Sequence, residues 1–328
     1  MRTPQQNDDP IFFRSAGLGR LSSLVIATMC FFVWSLPAAA QILESPMRIA
    51  EGSPGQILVS DHQQDVVFAL DKKTLQVVWS FSLNGTPVAV AQKGNLVFIG
   101  NATTRNVEVY RVKTTGGGRN TTLEFVFNLG LTPTGAPGTI QMPSDMALDR
   151  NLQFVFVLDS AEKKVKVFDF HGNFVQSLPP AGGTPLLSPT ALAVDELRQE
   201  VLVSDYGDPN GSFRANVPAR ILIYNYSGTL LKQIDGAAAD PNAQFDRPQG
   251  LATDDLGRIF LAEALVGQVF VFDRESGAVV KKLGSFGEGP GQLELPLDLV
   301  LDKKSGDLFV TNNMLKRIEV FRAAGGLQ

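Results

Sequence analysis

The amino-acid sequence predicts an all-β protein: a six-bladed β-propeller built from four-stranded antiparallel blades. Three observations lead to this prediction: a unit that occurs six times, short apolar runs parted by turn residues within each unit, and runs that are apolar on both faces. A strand that is apolar on both faces has to be covered from both sides, as in a sheet packed between two neighbouring sheets. Repeating four-stranded units of about 40 to 50 residues are typical of propeller blades.

The repeated unit centres on an apolar run that ends in an acid or an amide. A proline precedes this end residue by 14 to 16 positions, and a bulky apolar residue follows it by nine positions in five of the six copies. In the fourth copy Tyr224 follows Asp205 by 19 positions, which indicates an insertion there. The end residues are Asp61, Asn101, Asp159, Asp205, Glu263 and Asn312, and the prolines are Pro46, Pro87, Pro143, Pro189, Pro248 and Pro296.

The four strands of a unit are most apparent in the fifth copy. Its runs "GLATD", "RIFLAEA", "QVFVFD" and "AVVKKLG" are separated by turn residues, as in the segments "DLG" and "RESG". The third copy contains "LQFVFVLD", which is apolar on both faces. Because six copies fill residues 41–328, we expect these residues to form one propeller domain.

Residues 1–40 have the layout of a secretory signal peptide. Basic residues precede an uncharged run from Leu21 to Leu36, and Pro37 is followed by three alanines before Gln41. This order of a positive region, an apolar region and a small-residue cleavage pattern directs export. An uncleaved membrane anchor is the alternative, because the run approaches the length of about 17 residues that spans a bilayer. We expect an exported protein, periplasmic or extracellular, that contacts a membrane only if this segment is retained.

Composition excludes several classes of function. The single cysteine, Cys30, lies in the predicted leader, so a cleaved chain would have no disulfide, thiolate metal site or cysteine nucleophile. The formal net charge is −4, and Lys and Arg form no cluster. A surface that binds phosphates needs such a cluster, so we expect no nucleic-acid partner.

Closure of the ring requires an outer strand for the sixth blade. Only seven residues follow Phe321, which are too few for a convincing strand. We therefore expect the mature N-terminus, Gln41–Ser45, to supply this strand. A final blade of three strands is the alternative.

The last two copies resemble the NHL-repeat propellers, here those exported by bacteria. The segments that carry the resemblance are "GEGPGQLELPLDLVLD", "GLATDDLGRIFLAEA" and "RIEVF", which match the glycine-rich lead-in and the strands of that repeat. The match extends over nearly all of residues 41–328 but is degraded in the first two copies. The resemblance implies a six-bladed fold and says little about function.

Loop lengths differ between the two faces of the predicted propeller. Turns from the first to the second strand and most turns from the third to the fourth strand are tight, whereas the other connections are long. We call the side of these other connections the long-loop face and the opposite side the tight-turn face. Loop length without a packing role tends to carry binding. We therefore expect a non-catalytic scaffold that recognises a protein partner or small ligand on its long-loop face.

Aromatic and basic residues on this face are the candidate contacts, because aromatic and guanidinium groups anchor interfaces. The insertion in the fourth copy contributes one group of candidates, and a position four residues after the strand-end acid or amide contributes basic residues suited to an anionic ligand or an acidic partner. The candidates are Tyr206, Phe213, Arg214 and Arg220 in the insertion, His62 beside Asp61, and Arg105, Lys163 and Lys316 at the shared position.

The strand-end acids and amides have two interpretations. They accept backbone N–H bonds and so cap the turn that every blade needs, which we favour, or they form a ring of oxygen ligands for Ca²⁺. The second interpretation predicts a lactonase-like hydrolase or lyase at the channel mouth. Its metal ligands would be Asp159, Asp205, Glu263 and Asn312. With two histidines in the chain, a zinc site of several histidines is not expected, and we predict no cofactor outside the calcium alternative.

Overall fold

Six four-stranded antiparallel sheets make up the fold, so the predicted six-bladed propeller is confirmed. The computed structural model describes residues 31–33, 42–116, 120–133, 135–208, 217–237 and 241–323. In blades 1 to 5 the strands of each sheet lie side by side in chain order, from the innermost strand to the rim. The predicted leader falls outside the described residues except for Phe31–Val33.

The strands of the first three blades are Pro46–Glu51, Gln56–Asp61, Val66–Asp71 and Val77–Ser82 in blade 1, Pro87–Lys93, Leu96–Asn101, Asn106–Thr115 and Asn120–Leu129 in blade 2, and Pro143–Asp149, Phe154–Asp159, Lys164–Asp169 and Phe174–Leu178 in blade 3. Those of the other blades are Pro189–Asp195, Glu200–Asp205, Arg220–Asn225 and Leu230–Asp235 in blade 4, Pro248–Thr253, Arg258–Glu263, Gln268–Asp273 and Val279–Leu283 in blade 5, and Pro296–Leu301, Leu308–Asn312, Arg317–Ala323 and Phe31–Val33 in blade 6. A 3-10 helix, Pro241–Ala243, precedes blade 5, and a short parallel pair, Ser285–Phe286 with Gln292–Leu293, precedes blade 6.

The hydrophobic core lies between neighbouring blades, which explains why central strands are apolar on both faces. In blade 3, Val157 packs into a cluster shared with blade 2, whereas its neighbour Phe156 packs into a cluster shared with blade 4. Successive side chains of a strand point to opposite faces, so each central strand serves two cores. Both side chains are fully buried.

Side-chain hydrogen bonds between neighbouring blades hold the ring together further. Thr190 Oγ1 of blade 4 donates to the carbonyl oxygen of Pro248 in blade 5 at 2.8 Å. Thr311 Oγ1 of blade 6 donates to the carbonyl oxygen of Met47 in blade 1 at 3.3 Å. The second bond joins the second strand of blade 6 to the innermost strand of blade 1, so the last blade is bonded to the first.

The outer strand of blade 6 comes from the N-terminal side of the chain, but not from the residues that the sequence indicated. Phe31–Val33 pairs antiparallel with Phe321–Ala323. The expectation that the strand is Gln41–Ser45 is wrong for its described part, Ile42–Ser45, which forms no strand. The reason is that the backbone amides of Glu44 and Ser45 donate to Asp61 and Leu43 is buried, so this segment is held beside blade 1.

Among the described residues there is no helix with the length and apolar character needed to cross a membrane.

Candidate functional site

The strand-end acids hold the preceding blade-to-blade segments in place. Asp159 accepts hydrogen bonds from the backbone amides of Gln141 and Met142, the two residues before Pro143, at 2.8 and 3.1 Å. The same pair of bonds, from the two residues before the proline, forms in blades 1, 4 and 5 at Asp61, Asp205 and Glu263. This explains the spacing of 14 to 16 residues between proline and acid. In blades 1 to 5 the strand-end residue also accepts one or two backbone amides of the turn that follows it, as Asp61 does from Gln63 and Gln64, which confirms the capping interpretation.

Two of these carboxylates already have a buried cation beside them. Lys166 Nζ lies 3.4 Å from Asp159, and Arg220 Nη2 lies 2.9 Å from Asp205. Arg220, expected on the binding surface, is only 6% exposed and also donates to the carbonyl oxygen of Pro185, so the structure places it in the interior. Within the described residues no three His, Cys, Asp or Glu side chains are close enough together to hold a metal ion.

The calcium alternative therefore draws on side chains with other partners. Asp159, Asp205 and Glu263 accept backbone amides, and Asn312 accepts the amide of Glu294 at 2.9 Å while it donates to the carbonyl oxygen of Gln292. A cation at any of them would have to displace a buried hydrogen bond, which costs about 1 to 3 kcal/mol for each unsatisfied group.

Arg105, Lys163 and Lys316 share a backbone position as well as a sequence offset. Each is the last residue of the turn from the second to the third strand, with φ between 53° and 57°. Gly267 occupies the same position in blade 5 with φ of 60°. The geometry of this turn therefore explains why the three basic residues stand at the same position, four residues after the strand-end acid or amide. Arg105 is exposed, and Lys316 forms an ion pair of 2.6 Å with Glu44.

The remaining candidates are placed as follows. His62 is exposed in the first turn on the long-loop face, beside the buried Asp61. Tyr206 is partly exposed at the start of the insertion, and its amide donates to the carbonyl oxygen of Ser188. Phe213 and Arg214 lie outside the described residues. The structure does not gather the described candidates into one site, because they belong to the connections of five different blades.

Exposed apolar side chains show where the long-loop face differs from the rest of the surface. Among the described residues, the large apolar side chains that are exposed on this face are Ile42, Leu131, Met142, Tyr206, Leu265, Val266, Phe286 and Met314. Those exposed on the tight-turn face are Leu152, Leu197 and Leu256. Those exposed on the fourth strands at the rim are Val78, Phe125, Val175, Leu231 and Val280. A contiguous exposed apolar patch marks a surface for interaction. The long-loop face therefore has more exposed large apolar side chains than the tight-turn face or the rim.

Five of these side chains lie on neighbouring segments and make up what we call the blade 5–6 patch: Leu265, Val266, Phe286, Met314 and Ile42. Their backbone segments are in contact, because a Cβ on Gly267 would lie 2.9 Å from the Cα of Phe286, and the amide of Met314 donates to the carbonyl oxygen of Glu294. Asn313 Nδ2 then donates to Ser45, three residues after Ile42. Phe286 and Met314 are each 61% exposed.

The loop that presents Phe286 is held in a defined conformation. Gln292 Oε1 accepts the amide of Gly289 at 2.8 Å, and Arg317 Nη2 donates to the carbonyl oxygen of Gly289 at 2.9 Å. The amide of Gly291 donates to Glu319. Gly287 has φ of 139°, and a Cβ there would lie 2.5 Å from Gln292 Oε1, so the glycine-rich lead-in is required by the folded loop. An aromatic side chain on a preorganised loop loses little entropy when it binds.

The central channel contains a charged cluster that the sequence analysis missed. Arg48 is buried and spans the axis: its guanidinium donates to the carbonyl oxygens of Ser144, Thr190 and Leu297, on blades 3, 4 and 6. Its nitrogens lie 3.8 Å from Asp145 and 3.9 Å from Asp298. The three charged residues each stand two positions after the proline of their blade, where the other copies have Ala89, Ala191 and Gly250. Comparison of the six copies at this position could have revealed them.

The two carboxyl groups of this cluster titrate unusually because both are fully buried. Burial raises the pKa of Asp298 to about 8; the nearby Asp145 adds to the rise, and Arg48 opposes it. Burial also raises the pKa of Asp145, again against the influence of Arg48. Each carboxylate bridges to the next blade, since Asp298 accepts the amide of Ile49 and Asp145 accepts the amide of Leu192. The cluster joins four blades at the axis.

A cavity of about 150 Å³ extends from this cluster towards the tight-turn face and is lined by the innermost strands of all six blades. Arg150 borders the cavity near that face and pairs with Glu51 at 3.3 Å and Glu196 at 3.5 Å. Arg48 therefore separates the cavity from the long-loop face. The patch is on the long-loop face, whereas the cavity extends towards the tight-turn face.

Known proteins are similar to parts of this chain in sequence and to most of it in structure. The family DUF5128, described as a 6-bladed beta-propeller, matches residues 245–326. Protein brain tumor of Drosophila melanogaster is 26% identical over 149 residues, which are 45% of this chain but only 13% of the length of that relative.

Two solved structures cover most of the chain. Hydrazine synthase from Kuenenia stuttgartiensis has a TM-score of 0.57 at 13% identity, over 86% of this chain and 97% of that chain. A structural genomics protein of unknown function from Bacteroides thetaiotaomicron has a TM-score of 0.62 at 16% identity, over 86% of this chain and 70% of that chain. At such identities the likeness shows the fold alone.

Proposed function

We propose that this chain, a six-bladed propeller of the NHL type, is a non-catalytic binding scaffold that recognises a protein partner with its long-loop face. The blade 5–6 patch is the observation that carries the proposal. It combines five exposed apolar side chains with a loop whose conformation is fixed before binding. Exposed aromatic anchors on rigid loops are the residues that dominate protein interfaces.

The proposal includes export. The layout of residues 1–40 supports a periplasmic or extracellular location, where a mature chain without cysteine depends on packing alone for its stability. The buried interblade clusters suit that requirement. The described ends of the insertion, residues 206–208 and 217–219, adjoin strands at the same long-loop face and give the partner a second region to contact.

Site-specific photo-crosslinking in the source cell tests the proposal. A photoreactive amino acid would replace Phe286, Met314 or Leu265, one at a time. We expect all three positions to crosslink to one common protein, because they belong to one patch. Val280, which is 57% exposed on the rim of blade 5, is the matched control and is expected to give no crosslink to that protein.

A variant then shows whether the patch binds. The triple substitution Leu265→Ser, Phe286→Ser and Met314→Ser should leave thermal unfolding within a few degrees of wild type, because all three side chains are exposed. It should reduce capture of the crosslinked partner at least about tenfold, as expected when anchors worth 1.4 kcal/mol or more are lost. Undiminished capture by the folded triple variant would refute the assignment of the patch.

A further inference from the structure

The outer edge of blade 6 is assembled differently from the other rims. In blades 1 to 5 the fourth strand follows the third in the chain, whereas blade 6 takes Phe31–Val33, nearly 290 residues away in sequence. Only three residues of its third strand, Phe321–Ala323, pair with this segment. In blade 5 the corresponding pairing runs from Val269 to Phe272.

The segment that leads into blade 1 is not available for this edge. The amides of Glu44 and Ser45 donate to Asp61 at 2.7 and 2.9 Å, and Gln64 donates to the carbonyl oxygen of Ile42. Leu43 is 6% exposed, in the cluster between blades 1 and 6. Moving these residues to the rim would leave the buried Asp61 with the amides of Gln63 and Gln64 but without those of Glu44 and Ser45, at a cost of about 1 to 3 kcal/mol for each unsatisfied group.

Removal of residues 1–40 would therefore uncover an edge rather than only shorten the chain. An edge strand presents a row of unpaired N–H and C=O groups, which is a template for another strand. Three side chains of this strand are apolar and buried, namely Ile318, Val320 and Phe321, and the buried Glu319 pairs with Arg317 at 3.0 Å. The charge on Arg322 is compensated by Asp307 at 2.6 Å, and its guanidinium also donates to the carbonyl oxygen of Lys72.

We propose that the outer edge of Arg317–Ala323 is a strand-acceptor site. In the full-length chain it holds Phe31–Val33, and in a chain processed after Ala40 it takes an extended, uncharged and apolar strand from a partner protein. The chemistry of the occupant follows from the segment seated there, which belongs to an uncharged run, and from the compensated charge of Arg322. Strand addition of this kind gains affinity from main-chain hydrogen bonds and specificity from alternate side chains.

The acceptor site uses a surface other than the long-loop face, so failure of the blade 5–6 patch as a binding surface would leave this inference standing. This inference depends on the processing part of the proposed function and not on the blade 5–6 patch. The triple serine variant described above should bind the added strand as well as wild type does.

Hydrogen exchange on purified residues 41–328 tests the inference. The probe is a peptide with the sequence of residues 28–36, with serine in place of Cys30 and two lysines at each end for solubility. The amide of Ala323 donates to Asp307, and amides alternate in direction along a strand, so the amide of Arg322, opposite Phe32, is the one of the three that faces the outer edge. We expect the amide of Arg322 to exchange rapidly in residues 41–328 alone, and the peptide to slow it at least about tenfold. The control peptide carries Phe32→Pro, which removes a backbone donor at the centre of the pairing, and should not protect it.

Two results would overturn the inference. One is strong protection of the Arg322 amide in residues 41–328 without any peptide, because the edge would then already be filled. The other is protection by the proline peptide equal to that by the probe, or protection confined to other strands, because binding would then not be strand addition at this edge.

Discussion

Arg48 Nη1 lies 3.9 Å from Asp298 Oδ1, which joins the first blade to the last at the axis of the propeller. The same guanidinium reaches carbonyl oxygens of blades 3 and 4, so one side chain contacts four of the six blades. A ring held by non-covalent contacts gains most from a group that crosses its centre. Arg48 is therefore expected to stabilise the closed ring more than any ion pair at the surface.

Substitution of Arg48 by methionine tests this role. The change leaves Asp145 and Asp298 buried without their cation, and breaking a buried pair in this way destabilises a protein by about 3 to 5 kcal/mol. Urea unfolding of the purified chain measures the difference. Arg150→Met is the matched control, since Arg150 also contacts two acids but is 41% exposed, and it should cost no more than about 1 kcal/mol.

A second variant keeps the experiment informative if Arg48→Met fails to fold. Arg48→Lys retains the charge but cannot donate to three carbonyl oxygens through a planar fork, so an intermediate loss of stability is expected. Equal stability of wild type and both variants would show that the charged cluster does not stabilise the closed ring.

The pKa of Asp298 predicts a pH dependence of stability that Asp298→Asn removes. The folded-state pKa is raised from 3.8 to about 8, chiefly by burial. The folded protein therefore retains a proton that the unfolded chain releases, and this stabilisation is complete below pH 4 and is lost as pH rises through 8. Asparagine carries no charge at any pH and keeps an acceptor for the amide of Ile49.

We expect the melting temperature of Asp298→Asn, relative to wild type, to increase between pH 5 and pH 8.5 by at least about 3 °C, the shift that 1 kcal/mol produces in a domain of this size. Differential scanning calorimetry at five pH values measures the change. Asp255→Asn is the control, because Asp255 is 68% exposed in a surface ion pair with Lys303. A temperature difference that does not vary with pH would contradict the prediction.

The capping role of the strand-end acids is tested at Asp61. Asp61→Ala leaves the amides of Glu44 and Ser45 without their acceptor inside the protein, so we expect a loss of about 2 to 3 kcal/mol in the free energy of unfolding. Asp71→Ala is the comparison, because Asp71 accepts the amides of Lys73 and Thr74 in an exposed turn. Chemical unfolding should show a loss of about 1 kcal/mol there, and equal losses at the two positions would argue against capping.

Substitutions at the last residue of the turn from the second to the third strand, where φ is positive, test stability and binding separately. Arg105 has φ of 57° and is exposed, so Arg105→Gly should leave stability unchanged or raise it by up to about 1 kcal/mol. Gly267→Ala should be destabilising, since its Cβ would lie 2.9 Å from the Cα of Phe286. Thermal unfolding of the two variants checks both signs. A stable Arg105→Gly protein then allows any loss of binding to be assigned to the guanidinium itself.

Much of the fold was predictable because each blade repeats a local pattern. The proline, the apolar run and the strand-end acid recur at similar spacings. The hydrogen bonds from the residues before Pro143 to Asp159 show why the proline and the acid keep a similar spacing from blade to blade. The acids were correctly interpreted as caps for the same reason. The choice of Arg220 as a surface residue was misleading, because the sequence alone does not show that its side chain turns inward to Asp205.

The sequence by itself determined the all-β class, the six blades, the strand order and the separation of long loops from tight turns, because these features follow from periodicity along the chain. Only the tertiary structure decided which residues meet around the ring: Arg48 with Asp145 and Asp298, Phe286 with the turn of Gly267, and Phe31–Val33 with the last strand. These contacts depend on how successive blades rotate about the axis. That rotation is set by packing between sheets, which no local pattern of residues records.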